Sequence, residues 1–587
     1  MSIPHSPPTG GAVDARPVSF ADALAVVAAD PSTRPERMRQ YRSAVASLGR
    51  VTGRTAENLP LAPSALRPLL VAVLPARHRM SRKRWANIRS VLANMGALTG
   101  HVTRRAEHHV PLEGAWAEAM ALLPKTPQSA ALTGFARFCQ MQKISPTQGE
   151  EAALKAYRAF LLERTYELDP GATINSVRRM WNAAVDTVEG WPGRKLTPPH
   201  NPHVWALKFT AFPASLAAEL DTYIGHLAAP DPFEKPLPPI GNYPGRAVRP
   251  LSPTTIADRR RGLVRAASVL VEAGQPIETI TGLAALVTPV AMRTVLTDLC
   301  RQGGGRAWKG EALQMATNLF DVARRHLRLP EAELLPLLEI RTKVAHRYAG
   351  LTERARGRLA QFDDRRLLRK LFELPAELFK AADRLLKEGC PARAAAARER
   401  GLALAILLLL PMRRRNLAAL DIERHFVRDQ NGRVMTLCIP GTEVKNGIAI
   451  EAAVPPDLAR RIARHLTVYR PLLPGMQTST TRLFPGVGEK HRCPEAVGRN
   501  VSQAVRDAVG AEFNPHLLGH LAATLLYDAD PNSGPIAQRL LGHSQLKITE
   551  GMYGVLSTRS GQRVWADLLD RKRDALWRNE TSHGGRR

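Results

Sequence analysis

The stretch "RERGLALAILLLLPMRRRNLAALD", from Arg398 to Asp421, decides the fold of the C-terminal part of this chain. Its long apolar run is bounded by charged residues on both sides. The run is too short to span a bilayer, so it predicts a helix buried in a protein core.

The residues that follow this helix change in pattern. The segment "RHFVRDQNGRVMTLCIPGTEVKNGIAIEAAVPP", residues 424–456, consists of short alternating runs. Asn431-Gly432 and Asn446-Gly447 are turn signals, because the favoured hairpin turn needs positive φ at both central residues. Three antiparallel strands are therefore predicted, with helices returning after residue 456. The predicted fold class is mainly α with a small antiparallel β-sheet.

The first 350 residues show helical spacing of apolar residues and little strand patterning. Proline-rich stretches interrupt them, and proline lacks the N–H that a helix requires. With 587 residues the chain is too long for a single core, which predicts a multidomain protein with helical N-terminal domains and an α+β domain behind them. The predicted segments are a disordered leader at 1–16, helical domains at 17–120 and 121–235, a proline-rich linker at 236–252, a further helical domain at 253–350, an α+β domain at 351–572 and a basic tail at 573–587.

The net charge points to a polyanionic partner. Lys and Arg number 83 against 53 Asp and Glu, which gives a formal charge of +30. A basic protein gains much of its affinity for nucleic acid by neutralising phosphates and releasing their counterions. The charge therefore favours a protein that binds DNA or RNA over a basic protein without such a partner. The five cysteines form no CxxC pair, which predicts neither a zinc site nor a disulfide framework. We expect a cytoplasmic protein without a membrane partner.

Four motifs in the second half resemble those of the tyrosine recombinase (phage integrase) family. They are "LLLLPMRRRNLAAL", "VKNGIAIEAAVPP", "NPHLLGHLAATLL" and "LLGHSQLKITEGMYG", and they occur in the family's order across most of residues 360–570. The positions that match the family's catalytic residues are Arg413, Lys445, His516, His543 and Tyr553.

The resemblance implies a reaction that needs no metal ion and no cofactor. Tyr553 would attack a phosphodiester of double-stranded DNA and form a 3′-phosphotyrosine. Arg413 would hold the non-bridging oxygens, Lys445 would protonate the leaving 5′-oxygen, and the two histidines would handle protons. The resemblance also implies that 253–350 is a core-binding domain, that 351–572 is catalytic, and that subunits assemble as homo- or hetero-oligomers, typically tetramers on DNA with other recombinase subunits.

The sequence departs from the family pattern at three positions. Gly519 stands where the family has its second arginine, three residues after His516. Losing one preorganised donor to a developing oxyanion typically costs about 100- to 1000-fold in rate. Asn416 replaces a common glutamate, and Tyr553 follows His543 by ten residues, one more than is usual.

Each candidate residue has a simpler interpretation. Tyr553 alone would be taken for an ordinary core or surface tyrosine, and Lys445 for a turn lysine. Arg414 and Arg415 compete with Arg413, and the triplet could instead interact with a helix dipole. At the level of function, the alternatives to an active recombinase are a cleavage-deficient relative that acts as a DNA-binding or architectural subunit, and a type IB topoisomerase-like nicking enzyme.

Overall fold

The computed structural model describes residues 18–103, 110–123, 130–148, 151–197, 206–241, 243, 249–302, 309–345, 350–477, 479–486, 488, 490–530, 532–542 and 569. The chain divides into two compact units. One unit comprises Met1–Thr197 and Ala349–Arg587, and the other comprises Pro198–Tyr348.

Four helices form the first bundle of the larger unit. They are α1 Phe20–Ala29, α2 Pro35–Thr52, α3 Pro63–Ala72 and α4 Arg82–Leu98. Ser19 begins α1 with a capping box, in which its hydroxyl accepts from the Asp22 N–H and the Asp22 carboxylate accepts from the Ser19 N–H. Apolar side chains from all four helices form one core.

A second bundle follows and is tied to the first. Its helices are α5 Gly114–Ala121, α6 Ala130–Met141, α7 Glu151–Glu163 and α8 Pro170–Thr187. Trp181 is fully buried at the centre and contacts the Trp116 and Phe135 rings. Arg67 of α3 donates to the carbonyl oxygens of Leu161, Leu162, Thr165 and Glu167 at the end of α7. One guanidinium thus joins the two bundles.

The smaller unit is mainly helical in its described residues. Its helices are α9 Ala214–Ala228, α10 Pro253–Glu272, α11 Pro289–Gln302, α12 Lys309–Asp321 and α13 Glu331–Val344. They enclose a separate apolar core. At its edge, Arg259 donates to Asp321 at 2.7 Å and to the Tyr223 hydroxyl at 3.1 Å, so this nearly buried charge is paired.

The chain then returns to the larger unit. Helices α14 Glu353–Ala360, α15 Arg365–Lys387 and α16 Pro391–Leu409 precede the short α17 Arg414–Ala418. The predicted apolar helix is α16, and most of its side chains from Ala394 to Leu407 are buried. After the sheet come α18 Pro456–Arg464, α19 Pro494–Ala508, α20 Pro515–Ala529 and α21 Gly534–Leu541.

The sheet contains three antiparallel strands in the order β1 Phe426–Arg428, β2 Val434–Ile439 and β3 Ile450–Ala453. Phe426 pairs with Leu437, and Ile439 pairs with Ile450. Gly432 lies in the first connection with φ +73°, where the sequence predicts a hairpin turn. Gly447 has φ +72° and lies in the second connection, which is a longer loop that includes a 3₁₀ turn at Gly441–Glu443.

Within the larger unit, the first bundle contacts the C-terminal helices. Arg82 of α4 and Asp507 of α19 form an ion pair at 2.7 Å, and the Lys370 Nζ lies 3.4 Å from the Ala76 carbonyl oxygen. Gly510, with φ +78°, passes so close to the Arg77 backbone that a Cβ would overlap it. Only glycine satisfies both the backbone conformation and this approach.

The predicted fold class is confirmed: the chain is mainly helical, with one small antiparallel sheet. None of the helices in the described ranges is long and apolar enough to cross a membrane. Among the same described residues, no group of three or more His, Cys, Asp or Glu side chains is placed to hold a metal ion.

Candidate functional site

Arg413 lies at the break between two helices. Helix α16 ends at Leu409, and Arg413 is the N-cap residue of α17, with an extended backbone. Pro411 in the connection cannot donate the N–H that would continue the helix. The Arg413 side chain is partly buried, and its Nη2 donates to the Asn446 Oδ1 at 2.7 Å.

Asn446 connects three segments that are far apart in the sequence. Its Oδ1 accepts from Arg413, and its Nδ2 donates to the Gly542 carbonyl oxygen at the end of α21. Asn446 itself directly follows Lys445 in the loop between β2 and β3. The sequence predicts only a turn at Asn446-Gly447. It gives no signal that the amide would bridge Arg413 and the C-terminal segment.

The loop that carries Lys445 is held in place by Glu443. The Glu443 carboxylate forms an ion pair with Arg424 and a hydrogen bond with the His425 Nε2 at 3.1 Å. His425 is buried, and its Nδ1 accepts from the Asp421 N–H at 2.9 Å. Its proton therefore resides on Nε2 and is donated to Glu443. Lys445 is exposed two residues further along this fixed loop.

Asn416, at the position of the family's glutamate, supports the same loop. Its side chain is buried, and its Nδ2 donates to the Glu443 carbonyl oxygen at 3.2 Å. Asn416 and Arg413 lie on either side of the start of α17, and both bind the β2–β3 loop. The asparagine therefore couples α17 to the Lys445 loop by a neutral hydrogen bond.

His516 occupies the first turn of α20. The Asn514 Oδ1 accepts from the Leu517 N–H at 3.1 Å, and Pro515 is the first helical residue. Partial burial lowers the pKa of His516, and the positive charges of Arg414 and Arg413 lower it further. The imidazole is consequently neutral at pH 7 and can accept a proton.

Arg414 is the first residue of α17, and its side chain lies near the start of α20. Its Nη2 pairs with the Glu495 Oε1 at 3.0 Å. Its stem crosses α19 at Gly498: a Cβ built on Gly498 would be 3.6 Å from the Arg414 Cδ and 3.7 Å from the Pro515 Cγ. Gly498 of α19 is therefore adjacent both to the Arg414 side chain and to the N-terminus of α20.

Gly519 lies in α20, one turn after His516. A Cβ at this position would be 3.1 Å from the Leu541 Cδ2 of α21. The neighbouring atom is the end of a flexible apolar side chain. The space beside Gly519 is thus bordered by leucine, with no guanidinium supplied from this position.

The structure brings Arg413, the Lys445 loop and the start of α20 with His516 into one region of the larger unit. His543 and Tyr553 lie outside the described residues, as do the predicted leader and the basic tail. The last described residue of this region is Gly542, which directly precedes His543. The Gly542 carbonyl oxygen accepts a hydrogen bond from Asn446.

Searches for similar proteins give matches among solved structures only. No family model matches the chain, and no curated protein matches it. A lambda integrase dimer bound to a COC′ core site is 16% identical, with 57% of this chain and 96% of that chain covered and a TM-score of 0.33. XerH recombinase bound to difH substrate is 17% identical, with 51% and 78% covered and a TM-score of 0.32. XerA recombinase is 14% identical, with 54% and 92% covered and a TM-score of 0.24. Over about half of its length, the chain is similar to these recombinase structures.

Proposed function

We propose that the chain is a site-specific DNA recombinase that cleaves and rejoins double-stranded DNA through a 3′-phosphotyrosine intermediate. The observation that carries this proposal is the bridge made by Asn446. It binds Arg413, it is adjacent to Lys445, and it binds the residue before His543. Three of the motif segments are thereby held together around one exposed lysine and one partly buried arginine.

The proposed reaction is a transesterification. The Tyr553 oxygen forms a bond to the scissile phosphorus, and the bond from phosphorus to the 5′-oxygen breaks. His516 or His543 receives the tyrosine proton, and Lys445 gives a proton to the leaving 5′-oxygen. The free 5′-hydroxyl of a second strand then reverses these steps and releases the tyrosine. The reaction conserves the number of phosphodiester bonds, so it requires no cofactor.

The charges around the site suit an anionic phosphate. Arg413 can donate two parallel hydrogen bonds to non-bridging oxygens. His516 is neutral at pH 7 because of its lowered pKa, and is therefore able to act as a base. The overall charge of +30 favours the encounter with DNA.

The domain roles complete the proposal. Residues 253–350, with helix α9 that shares their apolar core, act as the core-binding domain and 351–572 as the catalytic domain. Residues 17–120 and the rest of 121–235 provide further DNA or partner contacts. The working assembly contains several recombinase subunits on DNA, because exchange of two duplexes requires cleavage at four strands. The protein acts in the cytoplasm, at its DNA target.

A second function is favoured by one specific observation. Leu541 borders the space beside Gly519, where the family's second arginine would project. A chain that had lost cleavage would serve as a DNA-binding or architectural subunit beside active recombinases. Both functions require the same fold and the same charge, so only a chemical assay separates them.

The experiment that tests the proposal is covalent capture. A duplex selected by the purified protein from a random-sequence pool is nicked next to the cleavage position, so that the released fragment diffuses away. The proposal predicts a protein–DNA adduct that survives SDS. Site binding without an adduct, alone and in mixtures with recombinases encoded nearby, would leave the binding subunit as the function.

A further inference from the structure

Because Gly519 replaces the second motif arginine, the proposed reaction lacks one of the two guanidinium groups that would bind the scissile phosphate. The phosphorane that forms during phosphoryl transfer carries more negative charge on its non-bridging oxygens than the diester does, and Arg413 is a single donor group. Within this chain, a compensating guanidinium would come from a side chain near Arg413 and His516. The other two arginines of the triplet, Arg414 and Arg415, are the nearest to Arg413 in sequence.

We infer that Arg414 supplies this second guanidinium to the scissile phosphate. The inference rests on the proposed function and identifies a further catalytic residue for it. It is carried by the position of the side chain: the Arg414 Cδ lies beside Gly498 of α19, and Gly498 also lies beside Pro515, the first residue of the helix that holds His516. The arginine that Gly519 replaces would also project from α20, one turn after His516.

Gly498 lies beside both side chains. The Arg414 Cδ and the Pro515 Cγ lie at nearly equal distances, 3.6 and 3.7 Å, from the point where a Gly498 Cβ would be. A Cβ at this position in α19 would make ordinary van der Waals contacts with both atoms, so Arg414 and Pro515 pack against the same point of α19. The arginine stem therefore packs into the junction of α17, α19 and α20.

Glu495 holds the guanidinium without preventing phosphate binding. The pair is 3.0 Å long, and the two side chains are 47% and 54% exposed. Exposed ion pairs of this kind are weak in water, so a phosphodiester can replace the carboxylate at little cost. The positive charge of Arg414 also lowers the pKa of His516, so the two side chains interact electrostatically.

Arg415 provides a matched control. It is the next residue in α17, it carries the same charge, and its side chain is exposed. Among the described residues, Arg415 has no ion pair comparable with the Arg414–Glu495 pair. An effect that came only from the general positive charge of α17 would be equal for the two arginines.

The test compares cleavage of a phosphodiester with cleavage of a methylphosphonate at the same position of the nicked duplex. The methylphosphonate has no negative charge for a guanidinium to neutralise. Arg414→Ala is expected to lower the rate of adduct formation on the phosphodiester by about 100-fold, and on the methylphosphonate by less than about 10-fold. Arg414→Lys is expected to recover part of the loss, since it keeps a charge but not the fork of donors. Arg415→Ala is expected to change neither rate by more than about 3-fold.

Two failures are distinguishable in this experiment. If wild type forms no adduct with either substrate, the proposed function fails and the role of Arg414 fails with it. If wild type forms the adduct and Arg414→Ala forms it at the same rate on the phosphodiester, only the role of Arg414 is overturned. An equal loss on both substrates would also overturn it, because that result indicates a structural effect. Site binding and the unfolding midpoint are measured for every variant.

Discussion

Restoring an arginine at position 519 perturbs the site at the point where the sequence departs most from the recombinase pattern. Gly519 has a helical backbone without positive φ, so other residues can adopt it. Replacing a glycine inside a helix gains about 1 kcal/mol. A Cβ would lie 3.1 Å from the Leu541 Cδ2, so the end of that side chain has to move by a few tenths of an ångström. Such overpacking costs about 1–3 kcal/mol.

The sum is a loss of about 0–2 kcal/mol, smaller than the roughly 5–15 kcal/mol by which typical domains are stable. Gly519→Arg should therefore fold. Gly519→Ala is the control, because it adds the same Cβ without the charge. With Arg414 already supplying a second guanidinium, Gly519→Arg is expected to accelerate cleavage by less than about 10-fold. In the Arg414→Ala background the same change is expected to accelerate it by about 100-fold.

The assay is single-turnover adduct formation on the nicked duplex, with site binding and urea unfolding measured in parallel. The reasoning is refuted if Gly519→Arg, folded and bound to its site, fails to accelerate the Arg414→Ala protein. It is also refuted if the gain is already about 100-fold in the wild-type background, since Arg414 would then not be compensating. Unfolding of both Gly519→Ala and Gly519→Arg would contradict the estimated cost of moving Leu541.

Three further predictions concern other parts of the larger unit. Gly510→Ala should destabilise the larger unit by clearly more than Gly53→Ala. Both glycines have positive φ, which costs a substituted residue about 1–2 kcal/mol. Of the two, Gly510 alone also approaches the backbone of another segment. Equal urea midpoints would show that the first bundle does not dock there. Asn446→Ala removes the bridge to Arg413 and to Gly542 and should slow adduct formation by about 10-fold or more; an unchanged rate would mean that the bridge does not position the site. Burial raises the pKa of Glu399 to about 7, although the ion pair with Arg492 opposes this shift. The folded protein therefore favours the protonated carboxyl, and the resulting stabilisation is present at low pH and is lost as pH rises from about 4.5 to about 7. Glu399→Gln should accordingly become more stable relative to wild type by about 2–3 kcal/mol between pH 5 and pH 8, and a pH-independent difference in unfolding free energy would contradict this.

The local features of the fold could be predicted from the sequence. The buried helix α16, the turn at Gly432 and the cap of α20 by Asn514 each depend on residues a few positions apart. Apolar periodicity, proline, glycine and capping side chains determine such features through short-range sterics and hydrogen bonding.

The contacts that assemble the site could not be predicted in this way. Asn446 binds partners 33 and 96 residues away in the sequence. The approach of Leu541 to Gly519 likewise depends on how two helices pack. No local pattern encodes which side chains meet across such separations, because the pairing is set by the tertiary arrangement. The roles of His543 and Tyr553 remain predictions from their motif.

Identification of the nucleophile is the most direct test of the central claim. The adduct formed by wild type on the nicked duplex is digested with protease and nuclease, and the peptide that carries the residual nucleotide is sequenced by mass spectrometry. The account predicts a nucleotide joined through its 3′-phosphate to Tyr553, and no adduct from a Tyr553→Phe protein that still binds the site. A nucleotide on any other residue, or an adduct that persists in Tyr553→Phe, would contradict it.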